Sequence, residues 1–175
     1  MNRLLRVAGD SMAPTYRSSD LLLTRPLGRA GVRARRGDVV VFRRGKLRMI
    51  KRVVGVPGDL VELEAGRLFV NGEPVDGRPR VPGAYTQTWQ MPGASYFMAG
   101  DNPAVSDDSR VWDEPFVSVE SVQAVVTRRL MGPRHPRGFT PGRRAAAAVR
   151  VAGSKSTVPR RSRSDPARRG SSGPG

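Results

Sequence analysis

Short apolar runs, separated by polar segments rich in glycine and proline, recur along the first 130 residues. Eight of these runs have the length and the β-branched content of strands: LLRVA, DLLLTRP, GDVVVFRR, LRMIKRVVGV, DLVELE, RLFV, SYFMAG and VQAVVTRRL. No long stretch keeps the 3.6-residue period of a helix. The pattern therefore predicts an all-β fold of antiparallel sheets for residues 1–130.

Two dipeptides in ELEAGRLFVNGEPV have the composition of tight hairpin turns. They are Ala65-Gly66, before RLFV, and Asn71-Gly72, after it. Such pairs tolerate the positive φ angles that two-residue hairpin turns require. We therefore expect a hairpin on each side of RLFV, and a further turn at GVPGD.

The composition changes after residue 130. Residues 131–175 hold 11 of the 31 Lys and Arg residues but one acid, Asp165, and so carry +10 of the net charge of +16. The segment is rich in Pro, Gly, Ser and Arg, and it has too little apolar surface to offset the entropy of ordering. The sequence predicts a catalytic or binding domain at 1–130 and a disordered basic tail at 131–175, in which RRAAAAVRVAG forms at most a marginal helical turn.

Several kinds of chemistry are excluded by composition. The chain has no cysteine, and its one histidine, His135, lies in the tail. A Ser-His-Asp relay and a metal site built from histidine or cysteine are therefore not expected, and no cofactor is predicted. No apolar run reaches the roughly 18 residues that cross a bilayer, and MNRLLRVAGD is too short for a signal-peptide core, so a soluble chain is expected as written.

Ser11 lies in AGDSMAPT, where the run Leu4–Ala8 leads into a proline-containing bend. A serine hydroxyl becomes a nucleophile only when a base accepts its proton. The neighbouring Asp10 points to the opposite face if the strand continues through it. A neutral lysine is the remaining candidate for the base.

Lys51 lies in LRMIKRVVGVPGD, among apolar residues. Burial of its ammonium lowers the lysine pKa, and a shift to about 8 corresponds to roughly 3 kcal/mol. For this stretch alone, an exposed lysine on a sheet face is the commoner arrangement. Whether Lys51 is buried or exposed depends on the residues that pack against its strand.

The polar loop AGDNPAVSDDSR, residues 99–110, is the third element. One interpretation is a surface loop held by Asx-turns and by an ion pair between Asp108 and Arg110. The other is a loop that supports the lysine, with Ser106 hydrogen-bonded to the Lys51 amine. The spacing of an EF-hand calcium loop is absent.

Four segments, taken in order, resemble the conserved boxes of the bacterial type I signal peptidases. They are GDSMAPT, RRGDVVVF, MIKRVVGVPGD and GDNPAVSDDSR, and the resemblance covers about residues 4–130. It implies an all-β fold of the signal-peptidase type and a Ser-Lys dyad with Ser11 as nucleophile and Lys51 as general base. The substrate would be a preprotein or leader peptide, bound as an extended strand and cut after small residues.

The resemblance also implies supporting residues. Ser106 matches the residue that orients the lysine, and two ion pairs, Asp108–Arg110 and Arg52–Asp101, match those that shape the site. Gly9 stands where some members place a hydroxyl that stabilises the oxyanion, which leaves the Ser11 N–H as the donor. Asp10, Met12 and Ile50 complete the predicted oxyanion and substrate groove.

One feature departs from the family. Its members usually carry one or two membrane-spanning helices before the serine strand, whereas this chain has about ten residues there. Three explanations remain open. The true start of the protein lies upstream of Met1, or the protein attaches peripherally to the outer face of the cytoplasmic membrane through an apolar rim and the basic tail. The third is a cytoplasmic peptidase of the same family, like those that trim the leader of nickel superoxide dismutase. The insert VPGDLVELEAGRLFVNGEPVDG favours the export-type enzymes.

Two other classes of protein share single features with this sequence. A self-cleaving repressor of the SOS type shares the Ser-Lys dyad but has an N-terminal DNA-binding domain, which this sequence lacks. A nucleic-acid-binding protein acting through the Arg-rich tail would be expected to interleave aromatic residues with the basic ones, and the tail does not. No nucleic-acid partner is expected, and an anionic membrane surface is the partner predicted for the tail.

Overall fold

The computed structural model describes residues 1–27, 33–131 and 149–150, and these residues form strands and turns almost throughout. A turn of 3₁₀ helix, Val119–Ser121, precedes the long strand β11. The strands are β1 (Arg3–Val7), β2 (Leu21–Pro26), β3 (Val39–Arg44), β4 (Leu47–Gly55), β5 (Leu60–Glu64), β6 (Arg67–Val70), β7 (Glu73–Pro74), β8 (Thr86–Gln90), β9 (Ser95–Ala99), β10 (Phe116–Ser118), β11 (Val122–Met131) and β12 (Val149–Arg150).

The strands form two antiparallel sheets, which confirms the predicted fold class. The larger sheet has the order β10-β9-β4-β3-β11-β2-β1-β12, and the smaller has the order β7-β6-β5-β8. β4 lies between β3 and β9 in the larger sheet, and β1 lies between β2 and β12. Strands that are distant in sequence are thus brought together around β4 and β1.

The two predicted hairpin turns are present. Ala65 and Gly66 have φ angles of 48° and 78°, and Asn71 and Gly72 have 53° and 85°. Two consecutive positive φ angles are the geometry of a type I′ turn, whose twist matches that of the flanking strands. The turns fix the register of β5, β6 and β7 in the smaller sheet.

Three buried clusters of apolar side chains form the core within and between the sheets. The first packs the end of β1 against β2, β3 and β4, and it contains Leu5, Val7, Met12 and Ile50. The second fills the other part of the larger sheet around a fully buried Phe42. The third joins the two sheets through side chains of β4, β5, β6 and β9.

Each of the eight predicted strands is present, and β7 is the second strand of the hairpin predicted at Asn71-Gly72. Three strands, β8, β10 and β12, were not predicted. β10 is very short, and β8, with the sequence TQTWQ, has one large apolar side chain, Trp89, so its pattern gives little signal. Trp89 packs on Phe97 with ring centroids 5.0 Å apart. A strand at the edge of a sheet can contact the core through a single side chain. One apolar residue gives no alternating pattern, so hydrophobic periodicity does not detect such a strand.

Two residues of the segment predicted to be a disordered tail, Val149 and Arg150, form the short strand β12. An extended segment gains the backbone hydrogen bonds of the β1 edge, which a short isolated helix does not. The rest of the predicted tail, apart from Met131 at the end of β11, lies outside the described residues.

Within residues 1–27, 33–131 and 149–150, no helix has the length and apolar composition needed to cross a membrane.

Gly55, the last residue of β4, provides a test of the packing between the sheets. A Cβ at this position would lie 2.6 Å from Val61 Cγ2 and 3.1 Å from Phe97 Cβ. Gly55→Ala should therefore force β5 away from β9 and lower the free energy of unfolding by about 1–3 kcal/mol, measured by denaturant titration.

Gly93 is the matched control, because a Cβ there meets no atom within 4 Å. Gly93→Ala should leave stability nearly unchanged or raise it slightly, since alanine restricts the unfolded chain. Equal stability of the two variants would contradict this account of how the sheets pack.

Candidate active site

Ser11 lies in a bend that begins where β1 ends. Val7 N–H donates to the Asp20 carbonyl at 2.9 Å, and Gly9 follows with a φ of 84°, which turns the chain away from β2. Met12, the next residue after Ser11, is fully buried in the first apolar cluster. The bend is therefore anchored on both sides of the serine.

The loop that follows β9 clamps the same bend. Asn102 N–H donates to the Ser11 carbonyl at 3.0 Å, and the Asn102 side-chain amide donates to the Asp10 carbonyl at 3.2 Å. The Asp10 carboxylate accepts the Ser18 N–H at 3.2 Å. Asp10 thus stabilises the bend, and its carboxylate forms no hydrogen bond to Ser11 or Lys51 among the described residues.

Lys51 lies in the middle of β4, opposite Val40 of β3. Its Nζ is 2.6 Å from Ser11 Oγ, and both side chains have an exposed fraction of 0%. The structure therefore brings together the two residues predicted to form the dyad, from segments 40 positions apart. The two buried polar atoms are hydrogen-bonded to each other inside the protein.

Burial is the main reason that the pKa of Lys51 falls from 10.5 to about 8. The carboxylates of Asp108 and Asp107 oppose this shift, and the Arg110 guanidinium supports it. A pKa near 8 leaves about a tenth of the amine neutral at pH 7. A neutral amine beside a hydroxyl can accept its proton.

Asp108 is the second fully buried charge near the dyad. Arg110 binds it through Nε to Oδ1 at 2.8 Å and through Nη2 to Oδ2 at 2.5 Å, and Gly100 N–H donates to Oδ2 at 2.8 Å. Burial alone would raise the pKa of the Asp108 carboxyl, but Arg110 and these hydrogen bonds outweigh it and hold the pKa below its usual value. The predicted ion pair Asp108–Arg110 is formed.

Ser106 does not form the hydrogen bond that was predicted for it. Its hydroxyl donates to Asp108 Oδ2 rather than pairing with Lys51, and no hydrogen bond joins Ser106 to Lys51 in the described part of the chain. The one hydroxyl proton goes to the charged Asp108 carboxylate, and the Lys51 amine donates to Ser11 Oγ and not to the lone pairs of Ser106. Any influence of Ser106 on the lysine therefore passes through Asp108 in this structure.

The second predicted ion pair is also present. Arg52 binds Asp101 with two hydrogen bonds, Nε to Oδ1 at 2.8 Å and Nη2 to Oδ2 at 2.6 Å, and it donates to the Gly37 carbonyl at 2.8 Å. Thr15 Oγ1 donates to the same Asp101 carboxylate at 2.5 Å. These bonds connect β4, the loop after β9 and the segment that follows Ser11.

Met12 and Ile50, which were predicted in the substrate groove, both have an exposed fraction of 0% and pack in the first apolar cluster. They support the bend and β4 from within the core. Gly9 lies in the bend, and the N–H of Ser11 has no acceptor among the described residues. That N–H remains the donor predicted for an oxyanion.

Two residues important for the geometry were not predicted. Asn102 clamps the serine bend, and Gly100 makes room for it, because a Cβ on Gly100 would lie 2.5 Å from the Ser11 carbonyl and closer still to Ser106 Oγ. Both lie inside the quoted loop GDNPAVSDDSR. The signal was therefore present, since a glycine next to predicted site residues often marks a close approach of backbone.

The arrangement is suited to nucleophilic chemistry by serine. Within residues 1–27, 33–131 and 149–150, no group of three His, Cys, Asp or Glu side chains is placed to hold a metal ion. What the described residues do offer is a hydroxyl, an amine with a lowered pKa and a backbone N–H from the same bend.

Comparisons with known proteins identify a matching family and several relatives of this chain. A family model described as signal peptidase, peptidase S26, matches residues 2–131. Signal peptidase I of Pseudomonas aeruginosa is 30% identical in an alignment 174 positions long, and the alignment takes in 73% of this chain and 61% of that protein. Signal peptidase I of Bacillus caldolyticus is 34% identical in an alignment 140 positions long, which takes in 70% of this chain and 76% of that protein.

Among solved structures, a signal peptidase I from Enterococcus faecalis is 30% identical, with a TM-score of 0.43, and covers 55% of this chain and 98% of that one. The alignment with the Pseudomonas aeruginosa protein covers about three fifths of that protein's length. The family model covers nearly all of the described residues, including both members of the dyad and the loop beneath it. The chain therefore belongs to the signal peptidase family, peptidase S26.

Proposed function

We propose that this protein is a serine endopeptidase that removes signal or leader peptides from exported preproteins, cutting after small residues, with Ser11 as nucleophile and Lys51 as general base. The observation that carries the proposal is the 2.6 Å separation of Ser11 Oγ and Lys51 Nζ, both buried, in a chain whose only histidine is His135. Family membership and the names of the relatives support the same activity.

In the first step, Ser11 Oγ attacks the carbonyl carbon of the scissile peptide bond while its proton moves to Lys51 Nζ. The carbonyl π bond becomes an oxyanion, which the Ser11 N–H stabilises. The intermediate then collapses, and the C–N bond breaks. Lys51 gives its proton to the leaving amine, so that an acyl ester on Ser11 remains.

In the second step, a water molecule attacks the ester and Lys51 accepts its proton. The new intermediate expels Ser11 Oγ, which regains a proton from Lys51, and the carboxylic acid of the signal peptide leaves. Lysine returns to its neutral form at the end of each half-reaction. No cofactor takes part in this scheme.

The surrounding residues align this lysine and limit the effect of nearby charge on its pKa. Arg110 offsets the charge of Asp108, and Ser106 acts as a positioning residue through the same carboxylate. Arg52 and Asp101 hold the loop against the serine bend. For location, we propose attachment at the outer face of the cytoplasmic membrane, where an anionic lipid surface attracts the basic residues of 131–175.

Ser11→Ala and Lys51→Met test the dyad. Both should lower cleavage of a soluble peptide carrying a small-residue site by at least about a thousandfold, because each removes one half of a unit that acts together. The cleavage rate and the chain's fold, followed by circular dichroism, are measured together. A Ser11→Ala chain with wild-type turnover would exclude the proposed mechanism.

Lys51→Met has a second expected effect, on stability. A lysine pKa lowered from 10.5 to about 8 means that the unfolded chain holds the proton more tightly, which destabilises the folded chain by about 3 kcal/mol at neutral pH. The contribution disappears as pH rises above the unfolded pKa. Lys51→Met should thus unfold at higher denaturant concentration than wild type at pH 7, despite being inactive.

The pH dependence of the wild type follows from the same pKa. The neutral amine is the active form, so kcat/KM should rise about tenfold per unit of pH up to about pH 8 and then level off. The measurement is initial rates from pH 6 to 10. A profile that is flat, or that falls above pH 6, would contradict lysine as the base.

Asp108→Asn tests the electrostatic balance around Lys51. The Asp108 carboxylate raises the pKa of Lys51, and its removal also leaves the Arg110 charge uncompensated, so the midpoint of the pH profile should move to lower pH. Asp113→Asn, at an exposed position, removes the same charge and should leave the midpoint unchanged. A midpoint that stays in place in both variants would show that Asp108 does not tune the lysine.

A further inference from the structure

A short strand from the C-terminal part of the chain occupies the edge of β1, the strand that leads to Ser11. β12 pairs antiparallel with β1, with Arg150 opposite Arg6 and Val149 opposite Val7. β1 has β2 on its other side. β12 therefore takes the edge that the larger sheet would otherwise leave open next to the serine bend.

The backbone hydrogen bonds identify which residues join the two strands. Val7 donates to the Asp20 carbonyl and accepts the Ser19 N–H, so the polar groups of Val7 face the side of β2. Alternate residues of a strand face opposite edges, so Arg6 faces β12. Arg6 and Arg150 are therefore the hydrogen-bonded pair, and Val7 and Val149 are the non-hydrogen-bonded pair.

β12 also approaches the strand that carries Lys51. Cα atoms of β12 and β4 come within 8 Å of one another, although these strands are not neighbours in the sheet order. β12 thus lies between β1 and β4. An extended substrate that reaches Ser11 and Lys51 together would need the same space, since adding a strand to a free edge is how extended peptides commonly bind.

The connection between β11 and β12 is long enough for this pairing within one chain. Met131 lies opposite Leu21, Leu21 opposite Arg6, and Arg6 opposite Arg150, so Met131 and Arg150 are three strand spacings apart, about 14 Å. Residues 132–149 separate them, and each residue extends by up to about 3.4 Å. The chain easily covers the distance.

We propose that β12 is a built-in competitor, a segment of the chain that occupies the substrate-binding edge of β1 and must leave it before a peptide can bind. This inference rests on the proposed peptidase function and adds a regulatory partner to the same site. Ser11 and Lys51 are fully buried in the structure that contains β12, so a substrate carbonyl reaches Ser11 Oγ after some local displacement.

The register favours a competitor over a substrate. The described residues of β12 lie opposite Arg6 and Val7 within β1, and Ser11 lies beyond the end of that strand. The carbonyls of Val149 and Arg150 are therefore held beside the approach to the serine and are not presented to it. Val149 and Arg150 thus occupy this edge without themselves offering a bond for cleavage.

The test uses two substitutions in the full chain. Both substitutions remove the positive charge of Arg150. Arg150→Pro also removes the backbone N–H that donates to the Arg6 carbonyl, whereas Arg150→Ala keeps it. A tethered competitor acts at an effective concentration near the millimolar range, so its release should lower KM for a soluble peptide by about threefold to tenfold. Arg150→Pro should show this fall with kcat unchanged, and Arg150→Ala should keep the KM of wild type.

Amide hydrogen exchange gives a second readout that does not depend on activity. The Arg6 amide should exchange faster in Arg150→Pro than in wild type and Arg150→Ala, while the Leu5 amide, which faces β2, should exchange equally in all three. Equal exchange at Arg6 would overturn the proposed pairing. Faster exchange with an unchanged KM in an active enzyme would overturn the competition while leaving the peptidase function intact.

Two further outcomes are decisive. Intact mass measurement of wild type and Ser11→Ala shows whether the chain cuts its own tail, and a Ser11-dependent cut near Val149 would show a substrate in place of a competitor. If wild type, Arg150→Pro and Arg150→Ala all fail to cleave peptides, the proposed function itself fails, and the competition fails with it.

Discussion

The burial of one amine next to one hydroxyl is the constraint on which this structure depends. A lysine can accept a proton from serine at physiological pH only if its ammonium form is destabilised, and here burial does so. The nearby carboxylate of Asp108 opposes that effect and raises the pKa of Lys51. Arg110, which is ion-paired with Asp108, acts in the other direction, so the loop can lie close to Lys51 while the lysine pKa stays low.

The fold meets this constraint by dividing the site between a rigid strand and a clamped bend. Lys51 lies in the middle of β4, with strands on both sides, where the backbone has little freedom. Ser11 lies outside regular structure and takes its position from Met12 in the core and from Asn102 across its carbonyl. Gly100 permits the close approach that this clamp requires. Misplacement of the bend by about 1 Å would be enough to reduce catalysis strongly.

The sequence predicted the features that depend on local chemistry. Glycine-containing turns, β-branched runs and the motif residues Ser11 and Lys51 all carry their information within a few positions, and the ion pairs Arg52–Asp101 and Asp108–Arg110 followed from the family motif. The partner of Ser106 was predicted incorrectly. The motif does not specify the folded shape of the loop, and that shape places the Ser106 hydroxyl against Asp108. β8 was missed because its burial arises from contact with Phe97, far along the chain.

The least predictable element, β12, relates directly to the central constraint. A groove that admits an extended peptide needs a free strand edge, and a free edge both attracts other chains and admits water. Water that reached the dyad would stabilise the ammonium form of Lys51 and raise its pKa, because desolvation is the main cause of the shift. Under the proposed competition, β12 fills part of this space while no substrate is bound. A substrate strand that replaced β12 would fill the same hydrogen-bonding positions of β1, and Lys51 would stay buried, as its lowered pKa requires.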